Sequence, residues 1–229
     1  MLLMHVGNSM NSKRRYLVMA DEHMDEQFLE IAGEQIVIAS NNAGKVAEIT
    51  TMLSPWDVVV TPAGSYNLEA PEETGVTFEE NALIKSSYYA KKTGLISLAD
   101  DSGLCINALG GEPGVYSARL AGEDKNFGKA MATLQERMEA LDGNTDMSAY
   151  FICALSICWP DAEDYINVEG RIDGTITFPP KGEHGFGYDP IFVPDGYDIA
   201  FAQMDAKEKA KLSHRARAFE KLIQELLVD

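Results

Sequence analysis

Long hydrophobic runs are absent from this 229-residue sequence, and no stretch approaches the roughly 18 uninterrupted apolar residues that a membrane helix needs. The opening MLLMHV is too short for the apolar core of a signal peptide, and the basic residues follow it rather than precede it. We therefore expect a cytoplasmic protein that has no membrane partner.

Cysteine and histidine are scarce, with three and four residues respectively. Cys105, Cys153 and Cys158 lie inside apolar runs, and neither their spacing nor a nearby histidine pair is typical of a zinc site. Free cysteine is among the residue types most often buried. We therefore expect three buried, reduced thiols.

Positive charge is the third shortage, because 19 Lys and Arg stand against 36 Asp and Glu, a net charge of −17. A long nucleic acid needs a basic face that neutralises its phosphates, so we expect no nucleic-acid polymer as a partner. A small polyanion is still allowed, provided that a few cations and a metal ion are gathered in one cleft.

The first 33 residues differ from the rest of the chain. They show no strand alternation, and residues 25–31 can form at most two helical turns. We interpret residues 1–33 as an N-terminal extension, either weakly ordered or a short helix. Residues 34–229 then form one domain, which is long enough to bury a sizeable core.

Strands alternate with helices from residue 34 onward. Residues 36–39 and 95–99 are short apolar runs typical of buried strands, and a capping box at Thr77 begins a helix that ends at Gly94. Residues 149–159 and 165–172 predict two long neighbouring strands that can pair antiparallel. This pattern predicts a mixed α/β protein with a sheet flanked by helices.

A candidate phosphate-binding turn follows the first of these strands. Its residues are Ser40, Asn41, Asn42, Ala43, Gly44 and Lys45. Backbone amides at a helix start attract anions, Gly44 allows close approach, and Lys45 adds charge. It is not a Walker loop, because Ala39 and Val46 replace its first glycine and its Ser/Thr. Alone, a plain helix cap explains the turn equally well.

Acidic residues mark a second candidate site. Asp100 and Asp101 follow the apolar run at 95–99, and ligands bind at the carboxyl ends of such strands. Adjacent carboxylates repel each other unless a cation intervenes, and Mg²⁺ prefers such oxygen ligands. Glu73 adds further acid, and Lys85 lies on the next helix. The simpler alternatives are an Asp-Ser-Gly turn and a solvated helix face.

Two later segments carry aromatic and basic residues. Gly185 to Asp189 places Phe186 on a glycine-flanked loop, which is a plausible stacking platform for a base. Its alternative role is to pack the loop onto the core. His214 and Arg215 begin the last helix, with Lys209 one turn before. Cations at that end oppose the helix dipole, so they require an anionic or acceptor partner.

Six blocks, in this order, resemble the inosine/xanthosine triphosphate pyrophosphatase family, the house-cleaning nucleotidases. They are ASNNAGKVAE, EETGVTFEENALIK, ADDSGL, LGGEPGVYSARLAGED, GFGYDPIF and EKAKLSHRARA, and the resemblance spans about residues 35–228. The family commonly has Thr-Gly-Asn where this chain has Ser40-Asn41-Asn42, a change that the turn tolerates because Asn adopts left-handed backbone better than most residues.

The resemblance implies a reaction and a site. The enzyme would hydrolyse non-standard purine nucleoside triphosphates to the monophosphate and pyrophosphate, using Mg²⁺. The implied fold has two lobes with a central nucleotide-binding cleft and forms a homodimer. The implied catalytic residues are Asp101, Asp100 and Lys85, with Glu73 and Asp101 as metal ligands. The implied substrate-binding residues are Ser40, Asn41, Asn42, Ala43, Gly44, Lys45, Ser102, Phe186, Gly187, Tyr188, Asp189, Lys209, His214 and Arg215.

Two other functions stay open at this point. The first is a non-catalytic nucleotide-binding regulator, against which the set of Glu73, Asp100 and Asp101 speaks, since a sensor does not need a water-activating carboxylate. The second is a pyrophosphatase that acts on modified pyrimidine or methylated nucleotides. Pyrophosphate release from a panel of triphosphates separates all three.

Overall fold

The computed structural model describes residues 2–6, 15–19, 27–141, 143, 146–161 and 163–228. Within these residues the chain forms ten strands and six α-helices. The strands are β1 (Leu2–Val6), β2 (Arg15–Met19), β3 (Gln27–Leu29), β4 (Gln35–Ile38), β5 (Val59–Pro62), β6 (Ile96–Ile106), β7 (Ser148–Cys158), β8 (Tyr165–Ile176), β9 (Phe192–Pro194) and β10 (Leu227–Val228). The helices are α1 (Ala43–Leu53), α2 (Phe78–Thr93), α3 (Ser117–Leu120), α4 (Phe127–Glu139), α5 (Ala206–Leu212) and α6 (His214–Leu226).

The N-terminal extension contributes strands β1, β2 and β3 to a small antiparallel sheet that β10 completes. The sequence analysis allowed a short helix over residues 25–31, but residues 27–29 are a strand, because they pair with both β2 and β10. Residues 1, 7–14 and 20–26 of this segment lie outside the described residues. That the extension is a unit separate from residues 34–229 stays a prediction.

The main sheet has six strands in the order β5-β4-β6-β7-β8-β9. Strand β4 pairs parallel with both β5 and β6, whereas the pairs β6–β7, β7–β8 and β8–β9 are antiparallel. Parallel neighbours need a helical crossover, which α1 and α2 supply. The prediction of a mixed α/β fold with an antiparallel pair of long strands is confirmed.

Strand β6 is longer than the sequence predicted. The apolar run ends near residue 99, but the strand continues to Ile106 because β7 pairs with it over residues 97–106. Strand β4 pairs with β6 only as far as Leu98. Asp100 and Asp101 therefore lie within a strand rather than at its end, at the point where the parallel neighbour has stopped.

Helices cover both faces of the sheet, and alternate residues of the central strands point to opposite faces. Ile36, Ile38 and Leu98 pack in a cluster with the apolar sides of α1 and α6. Val37 and Ala99 pack on the other face in a cluster that contains Phe78 and Tyr89 of α2. A third cluster joins the far ends of β6, β7 and β8 to α4.

Local signals explain the helix bounds. The side chain of Asn42 caps α1, and Pro55 follows its end. Thr77 and Glu80 form the capping box of α2, and Gly94 ends that helix with a positive φ of 69°. None of the helices among the described residues has the length and apolar character needed to cross a membrane. The division into two lobes stays a prediction.

Candidate active site

A cavity of about 330 Å³ lies beside residues 100–103 of β6. All but two of the predicted site residues line it; Ala43 and Gly44 are the exceptions. The lining residues from the prediction are Ser40, Asn41, Asn42, Lys45, Glu73, Lys85, Asp100, Asp101, Ser102, Phe186, Gly187, Tyr188, Asp189, Lys209, His214 and Arg215. Segments far apart in the sequence therefore meet in one cavity.

The turn after β4 is held by its own side chains. Asn42 Oδ1 accepts hydrogen bonds from the backbone amides of Gly44 (2.9 Å) and Lys45 (3.2 Å), and Ser40 Oγ accepts one from the Asn42 amide (3.1 Å). These amides stabilise the helix start, so they are already bonded within the protein. The turn therefore presents its polar side chains and Lys45 to the cavity more than its helical amides.

Phe186 packs directly against this turn. A Cβ atom placed on Gly44 would lie 2.5 Å from Cδ1 of Phe186, which is closer than real Cβ contacts allow. The absence of a side chain at Gly44 therefore leaves room for the aromatic ring of Phe186. The Phe186 ring is half-buried, and its backbone amide donates a 2.9 Å hydrogen bond to Asp189 Oδ2.

Both carboxylate oxygens of Asp100 are occupied by hydrogen-bond donors from the protein. Oδ1 accepts hydrogen bonds from Lys45 Nζ (2.6 Å) and Ser102 Oγ (2.9 Å). Oδ2 accepts from Arg215 Nε (2.6 Å) and from the thiol of Cys153 (3.1 Å). Its residue is 1% exposed. No oxygen of this group is open to a substrate or a water molecule.

The charge environment keeps Asp100 ionised. Burial by itself raises the pKa of a carboxyl, but the cations of Arg215 and Lys45 outweigh burial and hold the pKa of Asp100 well below its usual value. The same contacts raise the pKa of the Arg215 guanidinium, where the carboxylate of Asp100 outweighs the effect of burial. Asp100 and Arg215 are therefore a buried, fully ionised pair.

Asp101 has a different environment, although it is the next residue along the strand. Its side chain points to the α2 face, where Lys85 Nζ lies 3.0 Å from Asp101 Oδ1 and 2.8 Å from Glu73 Oε1. Burial raises the pKa of Asp101 above its usual value, and the Lys85 cation offsets this only in part. One ammonium group thus holds Glu73 and Asp101 beside each other.

The second oxygen of Asp101 is a buried acceptor without a partner among the described residues. Such atoms are rare in proteins and often belong to a site that binds a water molecule or an ion. Mg²⁺ is usually held by one or two carboxylates together with substrate phosphates. Glu73 and Asp101 match that donor set, although no group of three or more His, Cys, Asp or Glu side chains converges in the described part of the chain.

A second charged network holds the cations of α5 and α6. Lys209 Nζ lies 2.6 Å from Asp189 Oδ2 and 3.1 Å from Glu48 Oε1. Arg215 donates through Nη1 to Glu48 and through Nη2 to Ser102 Oγ. Both cations also lie over the ring of Phe186, at 4.7 Å and 5.7 Å from its centroid. The acidic partner that the start of α6 requires is thus supplied from within the protein.

His214 is buried beside this network and stacks on Phe151, with ring centroids 4.7 Å apart. Burial, together with the nearby cations of Arg215 and Lys209, holds its pKa well below the usual value, so the ring is neutral at neutral pH. Its Nδ1 atom has no hydrogen-bond partner among the described residues. A neutral ring offers a substrate one donor and one acceptor.

Glu48, Cys153 and Arg119 belong to the site, but no sequence pattern predicts a role for them there. Glu48 lies one turn after Lys45 on α1, a spacing that gives a weak signal for a shared helix face. Cys153 is a neighbour of Asp100 only because β7 pairs with β6. Arg119 lies within the quoted block LGGEPGVYSARLAGED, and its role depends on loop geometry that no local pattern reveals.

Comparisons by family model, by sequence and by structure all match this chain to related proteins. The Ham1 family model matches residues 36–225. A dITP/XTP pyrophosphatase of Zymomonas mobilis is 43% identical over 205 residues, which span 90% of this chain and 98% of the relative. One of Caulobacter vibrioides is 48% identical over 190 residues, spanning 83% and 96%. The structure of a HAM1 protein from Coxiella burnetii matches with a TM-score of 0.77 at 39% identity, covering 84% of this chain and 98% of that one. The chain belongs to the Ham1 family.

Proposed function

We propose that this protein hydrolyses non-standard purine nucleoside triphosphates, such as inosine, deoxyinosine or xanthosine triphosphate, to the monophosphate and pyrophosphate. The observation that carries the proposal is the pairing of Glu73 and Asp101 on one ammonium group, with an open Asp101 oxygen. This pair lines the same cavity as Lys45 and Phe186. The printed names of the relatives, dITP/XTP pyrophosphatase, support the substrate class.

Magnesium is the metal that we propose for this site. The open Oδ2 atom of Asp101 and the partly exposed carboxylate of Glu73 are hard oxygen donors, and they would share the ion with phosphate oxygens of the substrate. Bound there, Mg²⁺ supplies neutralisation of the phosphate charge in a protein that is otherwise strongly acidic.

Asp101 is the base in the proposed mechanism. A water molecule attacks the α-phosphorus, Asp101 takes one of its protons, and the bond from the α-phosphorus to the bridging oxygen breaks so that pyrophosphate leaves. Each carboxylate oxygen has two acceptor sites, so the unpartnered Oδ2 atom of Asp101 has room for the proton of the water molecule as well. Lys85 holds the other oxygen of Asp101, so the carboxylate keeps one orientation.

Asp100 has a positioning role in this mechanism, although the family resemblance groups it with the catalytic residues. Its two oxygens are occupied by Lys45, Ser102, Arg215 and Cys153, and its pKa lies well below the usual value, so it is a poor proton acceptor. Asp100 forms ion pairs with both Lys45, which we place beside the triphosphate, and Arg215, which we place beside the nucleobase.

We assign recognition of the purine nucleobase to Lys209, His214 and Arg215, and Phe186 is the ring on which the nucleobase stacks. Hypoxanthine and xanthine carry a 6-oxo acceptor, whereas adenine carries an amino donor. Donors arranged for an acceptor reject the opposite pattern, by up to about 10⁴–10⁵-fold in well-built sites. Glu48 holds Lys209 and Arg215 in one arrangement, which preserves this donor pattern.

Pyrophosphate release from a panel of triphosphates tests the proposed function. With Mg²⁺, inosine and xanthosine triphosphate are expected to give the monophosphate and pyrophosphate much faster than adenosine triphosphate. Hydrolysis in ¹⁸O-labelled water is expected to place the label in the monophosphate, since the attack is at the α-phosphorus. Label in the pyrophosphate would contradict the mechanism, and faster release from modified pyrimidine or methylated nucleotides would contradict the substrate class.

We also propose that the protein is a cytoplasmic homodimer, as the family resemblance implies. Three free, buried cysteines support a reducing compartment. Light scattering of the purified protein tests the assembly, with a mass of about twice the 25.1 kDa chain expected. A mass equal to one chain over the whole concentration range would overturn it.

A further inference from the structure

The charged side chains of the cavity and its immediate neighbours include an inner set in which every cation is already paired with a carboxylate. Each of its four cations lies within ion-pair distance of at least one of five carboxylates. A nucleoside triphosphate adds several negative charges, which these paired cations alone leave unbalanced. The inner set consists of Lys45, Lys85, Lys209, Arg215, Glu48, Glu73, Asp100, Asp101 and Asp189.

Two further cations, Arg119 and Lys125, line the rim of the same cavity. Neither makes an ion pair with any carboxylate in the described ranges. Glu123 also lines the rim, and it too is outside every ion pair of the described residues. The rim therefore holds the cations that a polyanionic substrate meets without first displacing a protein carboxylate.

Arg119 lies at the metal-ligand end of the cavity. Its Nη2 atom donates a 2.6 Å hydrogen bond to the backbone carbonyl of Glu73, whose side chain shares Lys85 with Asp101. The remaining guanidinium donors, Nε and Nη1, have no hydrogen-bond partner among the described residues. A planar guanidinium binds phosphate oxygens in pairs, and it is suited to the far end of a triphosphate.

Hydrogen bonds of Ser117 hold the segment that carries Arg119 to β6 and to Tyr188. Ser117 Oγ accepts a hydrogen bond from the Leu104 amide of β6 (3.1 Å) and donates one to the Gly114 carbonyl (2.6 Å). The Ser117 carbonyl accepts a hydrogen bond from the hydroxyl of Tyr188 (2.8 Å), beside the Phe186 loop. Arg119 therefore starts from a pre-organised backbone, which lowers the entropic cost of binding a ligand.

We propose that Arg119 binds the pyrophosphate half of the triphosphate and holds it as the leaving group, while its Nη2 atom keeps the loop of Glu73 in place. The proposal rests on the proposed function, because it assigns a role within the same reaction. Lys125 makes no contact with the Glu73 loop among the described residues, so its charge acts only at long range.

Product inhibition separates the two halves of the substrate. We would measure inhibition of inosine triphosphate hydrolysis by magnesium pyrophosphate and by inosine monophosphate in wild type, Arg119→Gln, Arg119→Lys and Lys125→Gln. In Arg119→Gln the inhibition constant for pyrophosphate is expected to rise about tenfold to a hundredfold, as for the loss of a charged hydrogen bond, and that for the monophosphate to stay unchanged. Arg119→Lys recovers part of the affinity, and Lys125→Gln shows a smaller shift.

Other outcomes decide against the proposal. If both inhibition constants rise together in Arg119→Gln, or if Lys125→Gln has an equal effect, the rim acts only through its general charge or its structure. An unchanged constant for pyrophosphate also overturns it. Arg137→Gln, which removes a surface arginine paired with Glu112, is the matched control for loss of a guanidinium. Failure of the proposed function is distinct, since wild type would then release no pyrophosphate, and calorimetry with magnesium pyrophosphate would still test Arg119.

Discussion

The two faces of strand β6 hold adjacent buried carboxylates that differ in their partners and in the direction of their pKa shifts. Asp100 points to the α1 and α6 face and is bound by Lys45, Arg215, Ser102 and Cys153. Asp101 points to the α2 face, shares Lys85 with Glu73 and keeps one oxygen unpartnered among the described residues. The pKa of Asp100 is lowered and that of Asp101 is raised.

The difference shows how one strand supplies two functions. Because strand neighbours point to opposite faces, each carboxylate is surrounded by side chains from different helices. The lowered pKa of Asp100 means that the fold is stabilised by its charge, whereas the raised pKa of Asp101 means that its charge is held at a cost. Asp100 therefore holds the surrounding cations in place, and Asp101 is the carboxylate that we propose for the chemistry.

The largest expected effect is on turnover in Asp101→Asn. Loss of the proposed base and of one proposed metal ligand should lower kcat for inosine triphosphate by at least about 10²–10⁴-fold. The free energy of unfolding should change little or rise, because the folded protein disfavours the charge that the substitution removes. Steady-state kinetics and urea denaturation measure the two quantities. Turnover close to wild type would show that Asp101 is not the base.

In Asp100→Asn, by contrast, the direct effect is expected on stability. The substitution removes the charge that balances Lys45 and Arg215 in a buried site, and breaking a buried pair costs about 3–5 kcal/mol. We expect the free energy of unfolding to fall by that order, with a loss of activity that follows the misplacement of both cations. Urea denaturation at neutral pH is the measurement. A variant as stable as wild type would remove the distinction between the two faces.

The pH dependence of stability sharpens the same comparison. The folded pKa of Asp100 is below its unfolded value of about 3.9, so the unfolded chain takes up its proton first as the pH falls. The stabilisation is fully present above about pH 5 and is lost as the pH falls through the folded pKa. Wild type should therefore lose more stability than Asp100→Asn as the pH falls from about 5 to about 3, in urea titrations at each pH. Parallel curves would contradict this origin of the stability.

The smallest effect is expected for an exposed ion pair. Arg137 and Glu112 lie 2.6 Å apart, but about half of each side chain is exposed to solvent. Such pairs contribute about 0–1 kcal/mol, and salt weakens them further. Arg137→Gln should change the free energy of unfolding by less than about 1 kcal/mol and leave turnover unaltered. A loss of unfolding free energy as large as that of Asp100→Asn would mean that burial does not determine how much an ion pair contributes to stability.

The sequence predicted the elements that local rules determine. The capping box at Thr77 and the glycine at residue 94 act over a few residues, and the structure has the helix α2 that they predict. It also predicted a common site, because the six blocks occur in a recognisable order. Sixteen of the predicted residues line one cavity.

Long-range pairing explains what the sequence did not predict. The end of β6 was placed near residue 99 because polar residues follow, but pairing with β7 extends the strand to Ile106. The opposite roles of Asp100 and Asp101 depend on which helices cover each face, and no local pattern contains that information. The contact of Phe186 with Gly44 joins residues far apart in sequence for the same reason.

We propose that a divalent ion between Glu73 and Asp101 joins this acidic protein to a triphosphate, and the dependence of turnover on magnesium tests that proposal. Turnover of inosine triphosphate would be measured with a chelator and over a Mg²⁺ titration, in wild type and in Glu73→Gln. We expect no turnover with the chelator, full recovery with Mg²⁺, and a midpoint at higher Mg²⁺ concentration in Glu73→Gln. Undiminished turnover with the chelator, or the same midpoint in both proteins, would contradict it.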